Sequence, residues 1–211
     1  MRIRSSALGL CVVLAFGLLA VQTATAAQTD PGAFVKDLGD KAILLLTGKD
    51  ISAAEREERF RDLLRQGFDV RRIGLFVLGR YARGASPKEI EEYNKLFEDL
   101  IVATYAARFA EYSGQQFIIK RVAKPQTHGD AIVMSEIQPT DGGPAIRVDW
   151  QVHEEAGGPK IVDVRVEGVS MSVTQREEFT AVIRKNGGSL GALLDVLREK
   201  TEGLKSKRAS N

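Results

Sequence analysis

The segment Ala145–Val169, AIRVDWQVHEEAGGPKIVDVRVEGV, decides the fold of this chain. From Ile146 to Val152 every second side chain is apolar, and the side chains between them are polar or charged. After the turn signal at residues 156–159 the alternation resumes, with Val162–Val166 as its centre. Because successive side chains of a strand point to opposite faces of a sheet, the segment predicts a β-hairpin with one apolar and one polar face.

The rest of the chain provides elements that can cover the apolar face. Two further period-two stretches, Phe117–Val122 and Ala131–Gln138, complete a predicted antiparallel sheet of four strands, or slightly more. Apolar spacings of three and four residues predict about six helices around it. These helices are Gly32–Leu46, 53–66 after a cap at Ser52, a buried helix after a cap at Asp69, Pro87–Tyr112, Val173–Lys185 after a cap at Ser172, and a short helix from Ser189. Helices, then a meander, then helices indicate an α+β fold.

The N-terminus has the pattern of a cleaved export signal. Arg2 and Arg4 precede the apolar run Ala7–Ala20, and Ala24–Ala26 offers a small-residue cleavage site. The single cysteine, Cys11, lies inside that run. We therefore expect a signal peptide at 1–26, one domain at 27–203, a basic disordered tail at 204–211, and a periplasmic location for a mature protein without disulfides.

Charge and motif content argue against several function classes. Without Arg2 and Arg4, 28 basic and 28 acidic residues remain, so no bulk field favours nucleic acid. The two histidines, His128 and His153, have no metal-ligand spacing. The stretch Gly168–Ser172 lacks the last glycine of a hydrolase nucleophile motif. We expect neither catalysis nor a cofactor or metal.

Two features have both a structural and a functional interpretation. Arg80 and Arg83 flank Tyr81 after the buried helix, where they are either solvated arginines or ligands of a phosphate headgroup. The apolar face of the hairpin is either solid core or the lining of a cavity. Periodicity alone cannot distinguish a filled interior from a lipid-filled one.

Two longer stretches carry a family resemblance. Residues 68–114, FDVRRIGLFVLGRYARGASPKEIEEYNKLFEDLIVATYAARFAEYSG, and residues 160–179, KIVDVRVEGVSMSVTQREEF, resemble the MlaC family of periplasmic phospholipid carriers. The pattern of that family is present except for one tryptophan, which Ala82 replaces. Hopanoid-associated members called HpnM share the same pattern.

The resemblance implies a monomeric carrier whose curved sheet and helices enclose an apolar cavity for the acyl chains of a phospholipid. It implies exchange of lipid between an outer-membrane lipoprotein complex and an inner-membrane ABC transporter with an MCE-domain ring, which maintains outer-membrane lipid asymmetry. Arg80, Tyr81 and Arg83 become candidates for headgroup contact or docking. The inward faces give these candidate pocket residues: Phe76, Val77, Tyr105, Val133, Val148, Trp150, Val164, Val166 and Val169.

Three alternatives stay open at this point. The cargo could be a hopanoid or another isoprenoid lipid, as in HpnM. The chain could be an interaction module with a solid core and no cargo. An enzyme would need an acid, a base or a nucleophile on the inward face, and the candidate pocket residues carry none.

Overall fold

The sheet has five antiparallel strands that follow one another in chain order. A computed structural model describes residues 30–124 and 129–209, with side chains up to Ser206. The predicted signal peptide and His128 lie outside the described residues. The strands are β1 (Gln116–Ala123), β2 (Ala131–Gln138), β3 (Ile146–Glu155), β4 (Gly158–Val166) and the short β5 (Val169–Ser170). The predicted α+β class is confirmed.

Pairing irregularities adjust the predicted strand faces. The register of β3 and β4 shifts after Gln151, so that Val152 lies opposite Ile161 and Val162 has no partner. Ile161, which is completely buried, therefore takes the inward position that the simple alternation assigned to Val162. A second shift, in β1, leaves Lys120 without a partner on β2. Each is a β-bulge, in which one extra residue disturbs the ladder.

The described part of the chain contains six α-helices beside the sheet: α1 (Pro31–Leu46), α2 (Ala53–Gly67), α3 (Val70–Leu78), α4 (Pro87–Tyr105), α5 (Met171–Lys185) and α6 (Leu190–Ala209). Two 3₁₀ segments, 79–84 and 106–111, follow α3 and α4. In the described ranges, no helix combines the length and apolar character that crossing a bilayer requires.

The helix ends correct three predictions. α4 ends at Tyr105 and continues only as a 3₁₀ segment, where an unbroken helix to Tyr112 was expected. α6 is long rather than short, because Leu204 still packs against buried side chains shared by α3, α4 and α5. The helix includes residues from 204 onward that were expected to form a tail. The cap of α5 is Ser170 and not Ser172: the Ser170 Oγ accepts a hydrogen bond from the Val173 N–H at 3.1 Å. Asp69 caps α3, as predicted.

The buried side chains form two main cores in the two halves of the molecule and a smaller cluster of Leu64, Val102 and Ala106. One joins α3, α4, α5 and α6 around Tyr93, whose hydroxyl donates to the Gly74 carbonyl at 2.9 Å. The other joins α1 to the inner face of the sheet around Val133. α1 comes close because Gly39 has no Cβ; a Cβ there would lie 2.7 Å from the Phe117 ring. The two halves present different surfaces, and each contains one candidate site.

Candidate functional site

One face of the sheet carries a continuous row of apolar side chains. In an antiparallel sheet, residues directly opposite one another share a face. Ile137 lies opposite Ile146, and Trp150 lies opposite both Val133 and Val164. We call the following inward residues the apolar strip: Ile137, Ile146, Val148, Trp150, Val164, Val166 and Val169.

The apolar strip is covered at one end and open at the other. Around Trp150 the rings of Phe68 and Phe117 pack edge-on, with centroids 6.5 and 5.9 Å away. At the opposite end Ile146 is 41% exposed and Val169 is 54% exposed. The strip therefore runs from a covered interior to solvent along the same sheet face.

The polar group on this face is paired within the protein. The indole N–H of Trp150 donates to the Ser135 Oγ at 2.9 Å, and that hydroxyl donates to the Val148 carbonyl at 2.7 Å. Ser135 is only 2% exposed. These bonds fix the tryptophan ring and offer no polar contact to a ligand. Nothing in the alternation pattern singled out Ser135.

The structure brings together most of the predicted pocket residues, but not all. Val148, Trp150, Val164, Val166 and Val169 lie on the apolar strip. Val133 lies on the same sheet face, opposite Trp150, but is fully buried in the sheet core. The remaining three are elsewhere: Val77 is in the helical core, and Phe76 and Tyr105 are exposed on helices.

The predicted polar residues lie along two surface grooves beside the helical core. The first groove, of about 540 Å³, runs between the end of α3, the 79–84 segment and α5, and we call it the arginine groove. Its lining includes Phe76, Arg80, Tyr81, Val173, Arg176 and Arg184. Arg83 lines a second groove of about 580 Å³ on the other side of Arg80 and Tyr81. The two arginines on α5 were not found from the sequence.

The arginine groove is electropositive around a phenol. The Arg80 guanidinium donates to the Tyr81 hydroxyl at 3.0 Å and lies 5.0 Å from the centre of the same ring. Arg184 of α5 lines the same groove. The hydrogen bond from Arg80, with a smaller contribution from Arg184, lowers the pKa of Tyr81 below its ordinary value. This arrangement favours a negatively charged ligand.

The outer face of the sheet holds a polar cluster. Asp130 accepts from the Gln151 amide at 2.6 Å and pairs with the His153 Nδ1 at 2.6 Å. Burial raises the pKa of Asp130, but the contacts with Gln151 and His153 lower it more, so the net shift is downward. In the described residues, no group of three or more histidine, cysteine or acidic side chains could hold a metal ion. The cluster links the start of β2 to β3 on the outer face of the sheet.

Comparison with known proteins agrees with this architecture. The family model described as MlaC protein matches residues 37–199. The intermembrane phospholipid transport system binding protein MlaC of Haemophilus influenzae is 24% identical over 183 residues, which cover 83% of this chain and 86% of that protein. A solved phospholipid-binding protein from Ralstonia solanacearum, in complex with a phospholipid, superposes with a TM-score of 0.76 at 24% identity. That match covers 84% of this chain and 99% of the other, and it shows a shared fold.

Proposed function

The chain belongs to the MlaC family, and from this premise we propose that it is a phospholipid carrier that holds acyl chains against the apolar strip. The observation that carries the proposal is the course of that strip, from the covered Trp150 to the exposed Val169 on one sheet face. An acyl chain would lie along the strip from the open end towards Trp150. Such a role requires binding and release, and no catalytic group.

The energetics of lipid transfer suit this surface. Exposing an acyl chain to water costs about 0.8 kcal/mol per CH₂, or about 12 kcal/mol for one sixteen-carbon chain. A carrier offsets this cost with a continuous apolar lining. The strip supplies this lining, and its polar neighbour Ser135 is already satisfied by Trp150 and Val148.

Location and partners are part of the proposal. The relative in Haemophilus influenzae belongs, by its name, to an intermembrane phospholipid transport system. Together with the predicted signal peptide, this supports a periplasmic monomer that exchanges lipid between an outer-membrane lipoprotein complex and an inner-membrane ABC transporter with an MCE-domain ring. Arg80, Tyr81 and Arg83 are proposed to contact the headgroup or a docking partner.

The test is native mass spectrometry of the protein purified from its own periplasm, followed by extraction and identification of bound lipid. We expect a two-chain phospholipid at near-stoichiometric amount. A bound hopanoid would assign the chain to carriers of the HpnM type. Well-folded protein that neither carries lipid nor takes it up from vesicles would contradict the proposal and favour an interaction module with a solid core.

A further inference from the structure

The arginine groove concentrates positive charge without matching negative charge. Arg80, Arg176 and Arg184 line it, and none of them forms an ion pair with a carboxylate of the described residues. The acidic residue in the lining is Glu177. Three cations and one anion in one groove leave a net positive site that faces solvent.

The three guanidinium groups are held by neutral surfaces. Arg176 lies 5.0 Å from the centre of the Phe76 ring. It also fills the space where a side chain at position 79 would begin; a Cβ on Gly79 would lie 3.1 Å from the Arg176 Nε. Arg80 donates to the hydroxyl of Tyr81, and Arg184 lies near the same hydroxyl. Because packing rather than carboxylates positions them, their charge stays available to a ligand.

The open end of the apolar strip and the arginine groove are close to one another in the chain, at the start of α5. Val169, at the exposed end of the strip, lies two residues before the first residue of α5, and Val173 on the first turn of α5 lines the groove. Val173 is 42% exposed and Phe76 is 43% exposed, so the start of the groove is apolar. Arg176 follows one turn later, about 5 Å along the helix. A molecule with apolar chains on the strip would thus place its polar end near the arginines.

We infer that the arginine groove receives the phosphate-bearing headgroup of the lipid and selects phospholipids with a net negative headgroup over zwitterionic ones. The inference rests on the proposed carrier function and adds the class of cargo. Guanidinium groups bind phosphate oxygens through paired, charge-assisted hydrogen bonds. A zwitterionic headgroup would satisfy one arginine through its phosphate, but its ammonium group would be repelled by the others. Because the site is exposed, we expect a preference of about fivefold.

The experiment loads purified protein from vesicles with equal amounts of phosphatidylglycerol and phosphatidylethanolamine, and measures both bound lipids by mass spectrometry. The test variant is Arg176→Gln/Arg184→Gln. The matched control is Lys95→Gln/Lys185→Gln, which removes the same charge from exposed lysines on α4 and α5 that do not line the groove. All proteins are compared for thermal unfolding.

We expect wild type and the lysine control to be enriched in phosphatidylglycerol and the arginine variant to bind both lipids equally, with total lipid per protein unchanged. Enrichment in wild type should fall with added salt, because the groove is open to solvent. An unchanged ratio in the arginine variant, or equal loss in the lysine control, overturns the inference while the carrier function stands. The inference is also overturned if wild type binds inorganic phosphate saturably, and the arginine variant does not, but wild type shows no enrichment of either headgroup. Absence of any lipid uptake by wild type overturns both.

Discussion

Gly79 is the residue whose backbone shapes the arginine groove. Its φ of 58° and ψ of −129° lie in a region that residues with a Cβ rarely adopt. The turn it makes directs the chain from α3 into the 79–84 segment and leaves room for the Arg176 guanidinium. The glycine therefore has both a conformational and a steric function.

Replacement of Gly79 by alanine should lower the free energy of unfolding by about 1–3 kcal/mol, because the new Cβ strains the backbone. Adding Arg176→Ala should restore the part of the loss that comes from the contact with the guanidinium. Denaturant unfolding measures both effects. The control is Gly84→Ala, where a Cβ would meet nothing within 4 Å and φ is not positive. Equal losses at the two positions would contradict this role for Gly79.

Val169 allows lipid binding to be tested with little effect on folding. Val164 is packed beside Trp150, so Val164→Asp would both destabilise the core and disturb the strip. Val169 is exposed at the open end, and an aspartate there can stay hydrated in the empty protein. Bound acyl chains would have to desolvate the carboxylate, so we expect Val169→Asp to reduce bound lipid about tenfold.

The matched control for this variant is Val196→Asp. Val196 is 38% exposed on α6, which packs on α4 and α5 away from the sheet. Lipid extraction and quantification after vesicle loading should give a normal load for Val196→Asp. A normal load for Val169→Asp as well, in folded protein, would remove the open end of the strip from the site.

At the scale of elements, α2 and α4 are joined by a group of ion pairs. Arg61 and Arg65 of α2 lie 2.6 and 2.8 Å from the carboxylate of Glu98 on α4, and Arg61 also lies 2.7 Å from Asp99. Burial would raise the pKa of Glu98, but the hydrogen bonds from Arg65 and Arg61 outweigh it, so the pKa lies below its ordinary value. The charged form of Glu98 therefore stabilises the folded state.

A carboxyl group whose pKa is lower in the folded state stabilises the protein above its unfolded pKa, and the stabilisation is lost as the pH falls through the folded value. Glu98→Gln should thus cost about 1 kcal/mol at neutral pH, and the difference from wild type should vanish in acid. Denaturant unfolding of wild type and Glu98→Gln, from neutral pH down to below the pKa of Glu98, measures this difference in the free energy of unfolding. Glu91→Gln, on the exposed side of the same helix, should have little effect at any pH. A pH-independent loss for Glu98→Gln would exclude the charge as its cause.

Local patterns in the sequence predict most of the helices and strands, but they do not predict contacts between residues that are distant in the chain. The cap at Asp69 and the hairpin from Ile146 depend on neighbouring residues, and both are confirmed. The bulge after Gln151 left one trace, the adjacent apolar pair Ile161–Val162, which breaks the strict alternation. Arg176 could not be associated with Phe76 from the sequence, because only the packing of α3 on α5 brings residues so distant in the chain together.

At the scale of the whole molecule, the bound lipid would connect the two halves. The apolar strip belongs to the sheet half and the arginine groove to the helical half. Phe68 bridges to Ile161 in the sheet core and also packs against the cluster of Leu64, Val102 and Ala106. A ligand that binds only the folded protein raises its stability by mass action. Cargo and fold stability should therefore be coupled.

Removing the lipid should lower the melting temperature. At a free lipid concentration one hundred times the dissociation constant, the stabilisation is about 2.7 kcal/mol. For a chain of this length that corresponds to about 5 to 10 °C. Scanning calorimetry of loaded and delipidated wild type measures it, with Val169→Asp as a variant whose melting temperature should not respond to lipid. Identical melting temperatures for the two wild-type samples would contradict the coupling.

The β-bulge at Lys120 affects how the protein can associate with other copies of itself. β1 forms one edge of the sheet, and a regular edge strand can recruit the edge of another copy. Here the β-bulge at Lys120 and the positive charge of the exposed Arg121 interrupt the edge, while the Lys120 ammonium pairs with Glu136 at 3.2 Å. A second copy that approached this edge would meet the Arg121 charge and a distorted backbone. We expect the same irregularity to disfavour edge-to-edge pairing between copies of the protein.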